Sequence, residues 1–369
     1  MTKIYSVHDL QNIKGKRVLI RLDLNVPMYK GKILSTFRID RSLPTLKLLQ
    51  KRGAKLILLS HADHGLTLRP AAKYLAKKLS KTRFAGGGIS AKSAMIEKLR
   101  PGEALLFENI FFEEGEKKND LRFTMFLASL ADYYVNEAFS ESHRPYSSVV
   151  GVAKLLPNYA GLLFNEELEK LSSLLSPQKP FVALISGAKF GTKLPLIEKY
   201  LKPADAVFVG GALANNFFKA KGYEVGKSFV DDSEIISENN LKKVLLPIDV
   251  LTSAGRVTTP DDVRPDEKIM DAGPATLSVL ISKIKKAKTV LLNGPLGAYE
   301  EGYGKSTEEL LKSASKGQSK ITVGGGDTVT IVGKMKLLKK FSFVSTGGGA
   351  MLEFLSAGTL PGIEALKRE

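Results

Sequence analysis

No cysteine occurs among the 369 residues, which removes disulfide frameworks and thiolate chemistry together. Long apolar runs are missing as well. The opening MTKIYSVHDL holds no hydrophobic segment of the kind that directs secretion, and no stretch approaches the ~20 apolar residues of a membrane span. A cytoplasmic protein without membrane attachment is therefore expected. Low-complexity segments, zinc-finger spacings and RNP-like aromatic strands are also absent, so the usual sequence signs of nucleic-acid modules are lacking.

What is present is a basic chain with an uneven distribution. The formal net charge is +17, yet all four histidines (His8, His61, His64, His143) and ten of the thirteen arginines precede residue 150, while the later cations are almost all lysine. The two halves thus carry different chemistry. Lysine runs such as ISKIKKAK alternate with apolar residues at helical spacing and read as solvated helix faces rather than a binding stripe. Small anionic ligands suit the charge better than nucleic acid does.

Length and a 43% hydrophobic content suffice for two ordinary cores. Ten short runs rich in Val, Ile and Leu (RVLIRLDLN, KLILLSH, EALLFEN, YYVNEAF, FVALISG, AVFVGG, VLLPIDVL, TVLLNGP, ITVGGG, FSFVSTGGG) are separated by helix-length segments. The pattern predicts an α/β protein with two parallel sheets. Glycine and polar residues follow each run, at the strand ends where open α/β sheets bind ligands. The expected organisation is an N-terminal domain over 1–160, a linker helix over 161–176, a C-terminal domain over 177–350 and a tail over 351–369.

Glycine marks the second half. In KITVGGGDTV, a β-branched strand runs into Gly324, Gly325 and Gly326, and DTVTIVGK can begin a helix with Asp327 near its start. Free N–H groups at such a helix start favour an anion. SGAKFGTK, VGGALANNF, LNGPLGAYE and STGGGAML bring the glycine loops to five, more than turns alone require. Asp327 beside them fits Mg²⁺, which takes one or two carboxylates together with phosphate oxygens. YEEGYGKST is not a P-loop, because Tyr299 stands where the leading glycine belongs. Nor is GGGDTV a dinucleotide fingerprint, since Val329 occupies the third glycine's place.

The first half offers side chains. A two-residue period would put Arg21, Asp23 and Asn25 of RLDLN on one strand face, with Arg38, His61, His64, His143 and Arg144 at later strand ends or loops. Guanidinium forks and imidazoles in this number suggest an anion site. Asp23 among them reads equally as an ion-pair partner, as the group that orients an arginine, or as an acceptor for a substrate hydroxyl.

RLDLNVP, SHADHG, VNEAFSESHR, SGAKFGTK, LLNGPLGAYE, VGGGDT and FSFVSTGGGAMLEFLSAGTLPGIEAL follow in the order of the phosphoglycerate kinase family, which the chain resembles over nearly its whole length. The resemblance implies two Rossmann-like domains facing a cleft that closes about a hinge helix. It also implies Mg²⁺-dependent phosphoryl exchange between 1,3-bisphosphoglycerate with ADP and 3-phosphoglycerate with ATP. Asp23, Asn25, Arg38, His61, His64 and Arg144 would bind the glycerate substrate, with Arg21 and His143 in the same basic patch. Arg38, Lys189 and Gly348 would serve the transferring phosphoryl group. Lys189, Lys193, Gly211, Asn293, Pro295, Glu300, Gly325, Gly326, Asp327 and Thr328 would hold the nucleotide, with Glu300 on the ribose and Asp327 on the metal. The resemblance further suggests a monomer whose tail returns to the first domain.

The sequence departs from the family pattern in its first half. His64 and Gly65 stand where arginine and proline are usual, Phe111 replaces another arginine, and Glu137, Ser140 and Glu141 replace Asp, Gly and Thr. In the second half, SGAK and LLNGP are milder changes from Gly-Gly-Ala-Lys and Trp-Asn-Gly-Pro. Two other readings follow: a weakly active nucleotide-binding homologue whose basic surface takes polyanions, and a kinase for another small carboxylate.

Overall fold

A computed structural model describes residues 3–231 and 236–368. They form two compact units, one running to Glu169 and resumed from Thr359, the other comprising Lys170–Gly358. Residues 351–358 stay in the second unit, on the helix Gly348–Ala357.

The first unit is built on a six-stranded parallel sheet. Its strands, edge to edge, are Thr82–Phe84, Ala104–Leu106, Lys55–Leu59, Arg17–Arg21, Tyr133–Asn136 and Asn158–Ala160. Val18, Leu19, Ile20, Leu56, Leu58, Leu106 and Val135 have no measurable exposure, as expected for a sheet covered on both faces. The strand order reverses beside Arg17–Arg21, whose neighbours are Lys55–Leu59 and Tyr133–Asn136. That reversal opens a crevice at the carboxyl edge, where Arg21 is level with Leu59 and Asn136.

The second unit repeats the plan with five parallel strands, in the order Ala206–Val209, Phe181–Ile185, Thr289–Asn293, Lys320–Gly324 and Phe343–Val344. Here the reversal lies between Phe181–Ile185 and Thr289–Asn293, and Ser186 N–H donates to Asn293 O at 2.7 Å just beyond it.

Two expectations need correction. VLLPIDVL does not supply a strand to the parallel sheet: Leu245 makes only an isolated bridge to Phe208. Val250–Thr252 instead joins a three-stranded antiparallel sheet with Val257–Thr258 and Ile269–Ala272. Pro247, which cannot donate to a ladder, divides the run. RLDLN is likewise not one strand face. The strand stops at Arg21, and Asp23 and Asn25 lie on the loop beyond, where Asn25 N–H donates to Asp23 Oδ1 at 3.0 Å. An aspartate that bonds the backbone two residues on turns the chain locally instead of extending it.

The helix within the expected linker spans Leu162–Ser172. ISKIKKAK falls on the helix Pro274–Lys286, which buries Leu277, Leu280 and Ile284 and leaves Lys285 and Lys286 exposed. Among the described residues no helix is long and apolar enough to cross a membrane.

Candidate functional site

In the first unit, loops after three strands bring charged groups together. Arg38, on the helix Phe37–Lys51, reaches Asp23 Oδ2 at 3.0 Å and donates to Asn25 O at 3.0 Å. Ser140 donates to the same Asp23 oxygen at 2.5 Å. Burial would raise the Asp23 carboxyl, but Arg38, Ser140 and the Asn25 amide outweigh it and hold the group below the ordinary carboxylate range. Asp23 is thus an anion that fixes Arg38, one of the roles its sequence left open. Asn25 is fixed in turn by Asp63, to which its amide donates at 2.7 Å.

Arg21 is fully buried rather than presented to a ligand. It donates to Ser148 Oγ at 2.8 Å and to Leu22 O at 2.7 Å, and its third contact is His61 Nδ1 at 3.3 Å. Ser148 links it to a buried acid, donating to Glu116 Oε1 at 2.5 Å. Because a guanidinium only donates, His61 Nδ1 must accept, which places the ring proton on Nε2. Burial and the Arg21 charge push His61 down to about 4. The ring is therefore a neutral donor at pH 7, with Nε2 3.5 Å from Glu141 Oε1.

The remaining candidates are less tightly held. His143 is half-buried, and burial together with Arg144 lowers it to about 4; its Nδ1 is buried without a partner. Arg144 is exposed. His64 is also exposed, on a turn where it and Gly65 have φ of +56° and +65°. Proline cannot adopt that conformation. Among the described residues no hydrogen bond or ion pair joins His64 to the cluster around Arg38. Phe111 packs its ring 4.5 Å from that of His61 and 5.6 Å from that of Tyr146.

The second unit presents backbone. Gly211 (φ +61°) lies so close to its neighbours that a Cβ there would stand 2.7 Å from Gly187 N and 2.9 Å from Pro295 O. A Cβ on Gly294 would collide with Ser186 O. These glycines let the loops after three strands converge at the sheet's carboxyl edge. Ser186 Oγ donates to Pro295 O at 2.7 Å, and Gly294 N–H donates to Thr328 Oγ1 at 2.9 Å. Gly325 (φ +87°) turns the chain from Lys320–Gly324 into the helix Gly326–Lys334, leaving Asp327 exposed in its first turn. Both polar side-chain atoms of Asn293 are buried without a partner.

Lysines border these loops. Lys193 donates to Ser186 O, and burial, with Lys189 nearby, lowers it to about 8 against the pull of Asp327. Lys189 is exposed at the start of the helix Phe190–Tyr200, and Glu300 is exposed on the turn Tyr299–Glu301. Gly348 opens the helix Gly348–Ala357 with φ +53°.

Sequence reasoning missed Glu116, Ser148, Asp63 and Ser186. Ser148 meets Arg21 across 127 positions and Ser186 meets Pro295 across 109, so no local spacing marks either.

A cationic cluster beyond one parallel sheet and glycine-bared loops beyond another define a protein built to handle small phosphorylated molecules. A family profile for phosphoglycerate kinase matches residues 7–358. Phosphoglycerate kinase of Xanthobacter flavus is 39% identical with all of each chain covered, and that of Thermus thermophilus is 41% identical with 96% of this chain and 97% of its own covered. Two solved phosphoglycerate kinases match the structure. The Coxiella burnetii enzyme has a TM-score of 0.82 and 36% identity, covering 99% of both chains, and the Pyrococcus horikoshii enzyme has 0.86 and 29%, covering 98% of both. The chain belongs to the phosphoglycerate kinase family.

Proposed function

We propose that the protein catalyses reversible phosphoryl transfer from 1,3-bisphosphoglycerate to ADP, giving 3-phosphoglycerate and ATP. The observation that carries this is the contrast between the two units: guanidinium and imidazole at one strand-end crevice, open backbone with Asp327 exposed beside it at the other.

In this reading the acid substrate lies in the first unit. Arg38, held by Asp23 and Asn25, faces its acyl-phosphate end, and His61 offers it the Nε2 proton. Asn25, His64, His143 and Arg144 complete the substrate contacts, and buried Arg21 acts through His61. A carboxylate of pKa about 4 is already ionised at pH 7, so no general base is needed. The chemistry is positioning and charge neutralisation.

The nucleotide lies in the second unit, along the loops of Gly211, Asn293, Pro295 and Gly325–Thr328, with Lys189 and Lys193 beside its phosphates and Glu300 at its ribose. Asn293, buried with no partner for either polar atom, suits a ligand that supplies one. Among the described residues no group of three His, Asp or Glu side chains is placed to hold a metal. Asp327 alone, exposed beside Thr328, fits Mg²⁺, which keeps most of its coordination for phosphate oxygens and water. Bound with the nucleotide, Mg²⁺ supplies neutralising charge. Lys189, Arg38 and the N–H groups at Gly348 supply the rest of the charge that the transferring phosphoryl group requires. In-line attack needs the reacting atoms within about 3–3.5 Å, a demand we assign to closure about the segment 161–176. We further assign the protein to the cytoplasm as a monomer.

A coupled assay with ATP, Mg²⁺ and a panel of carboxylates tests the reading. Turnover should be found with 3-phosphoglycerate and be negligible with acetate or glycerate; the reverse preference would refute it.

A further inference from the structure

Glu141 lies where no anion-binding site needs a carboxylate. Its Oε1 is 3.5 Å from His61 Nε2 and its Oε2 is 4.0 Å from Arg21 Nη2, with the side chain only 14% exposed. The family pattern has threonine here. His61 Nε2 carries the ring proton, as the Arg21 contact requires, so Glu141 stands beside the donor that the incoming acid needs. We propose that Glu141 is a resident carboxylate that occupies the substrate's share of this cluster, so that 3-phosphoglycerate binds only as Glu141 is neutralised or displaced.

The surroundings make this exchange sensitive to pH. Arg21 and His61 face Glu141 from two strand ends; Asp23 and Arg38 from the next loop and the helix behind it; Asp63 from the loop after His61; and Tyr146 from its own loop. Arg144 N–H donates to its carbonyl at 2.9 Å. Burial, with Asp23 and Asp63, raises Glu141 to about 7 despite Arg21 and Arg38. An ionised Glu141 repels an incoming phosphate and carboxylate, whereas a protonated one does not. Raising the pH through 7 therefore weakens binding, and binding above 7 draws a proton onto the protein.

This inference rests on the glycerate reading of the site, and titration calorimetry with 3-phosphoglycerate tests both separately from turnover. Glu141→Gln keeps the shape and removes the charge. At about pH 8 the variant should bind at least about tenfold more tightly than the parent, and at about pH 6 the gap should shrink to roughly twofold or less. Comparing buffers of different ionisation enthalpy at about pH 8 should reveal proton uptake by the parent that the variant lacks. Glu141→Ala should behave like the glutamine variant, and far-UV circular dichroism with cooperative urea unfolding matching the parent reports that each variant is folded. Equal affinity and equal proton uptake in parent and variants would overturn the inference and leave the functional reading standing. If no form binds 3-phosphoglycerate, the functional reading fails and the inference falls with it.

Discussion

Phe111 stands beside His61, and in the proposed reading it faces the far end of the substrate. Its half-buried ring covers His61 on one side, and the ammonium of exposed Lys117 sits 4.2 Å from its centroid, a cation–π contact. A guanidinium is usual here in the family, so an apolar ring with a lysine above it replaces a forked donor by a point charge. Phe111→Arg should lower KM for 3-phosphoglycerate by about ten- to a hundredfold, the worth of one charge-assisted contact of roughly 1.5–3 kcal/mol. KM for MgATP should not move, and a steady-state comparison that finds neither constant changed would contradict the assignment. At this scale the sequence was readable for which residues gather and unreadable for how each is used. Arg38 and Arg21 are both arginines of the first half; one meets Asp23 at a half-open edge, and the other is spent on the adjacent Leu22 carbonyl and on Ser148, 127 positions away. Alternation along RLDLN wrongly placed Arg21 on one face with Asp23, because the strand ends between the two.

Among the elements, the helix Leu162–Ser172 is tied to the first sheet by an unusual group. Glu137, buried after the strand Tyr133–Asn136, accepts from Leu163 N–H and meets Thr45, whose Oγ1 accepts from Leu162 N–H at 2.9 Å. A Cβ on Gly161 would collide with its Oε2, which has no partner. Burial pushes Glu137 up to about 8, against the pull of Thr45 and the helix amides. The folded chain therefore keeps this proton to higher pH than the unfolded chain, whose carboxyl releases it near 4.5. Stability is full below about 4.5 and declines as pH rises toward about 8. Glu137→Gln should remove that decline and stabilise the protein at about pH 8 by on the order of 1–3 kcal/mol, with little change at about pH 4. Urea unfolding at the two pH values measures it; a pH-independent difference would count against a buried protonated carboxyl. Parallel strands were legible as elements because two-sided burial leaves continuous Val, Ile and Leu runs. VLLPIDVL imitates such a run but is cut by Pro247, and its second half pairs with Val257–Thr258 and Ile269–Ala272, partners that hydrophobicity alone does not name.

Over the whole molecule the division of labour follows composition. Arginine and histidine concentrate in the first unit, where the proposed glycerate site is built of side chains. Glycine loops concentrate in the second, where the proposed nucleotide site is built of backbone. A net charge of +17 favours capture of two anionic substrates at low ionic strength. In the proposed reaction the acid receives the nucleotide's phosphoryl group directly, with no phosphorylated protein between them. Rapid-quench mixing with MgATP radiolabelled in its γ-phosphate and 3-phosphoglycerate distinguishes this from a two-step route. Label should pass in a single turnover to a hydroxylamine-sensitive acyl phosphate on the glycerate, with none retained on the chain. Label trapped on the protein, or released only as inorganic phosphate, would contradict the account.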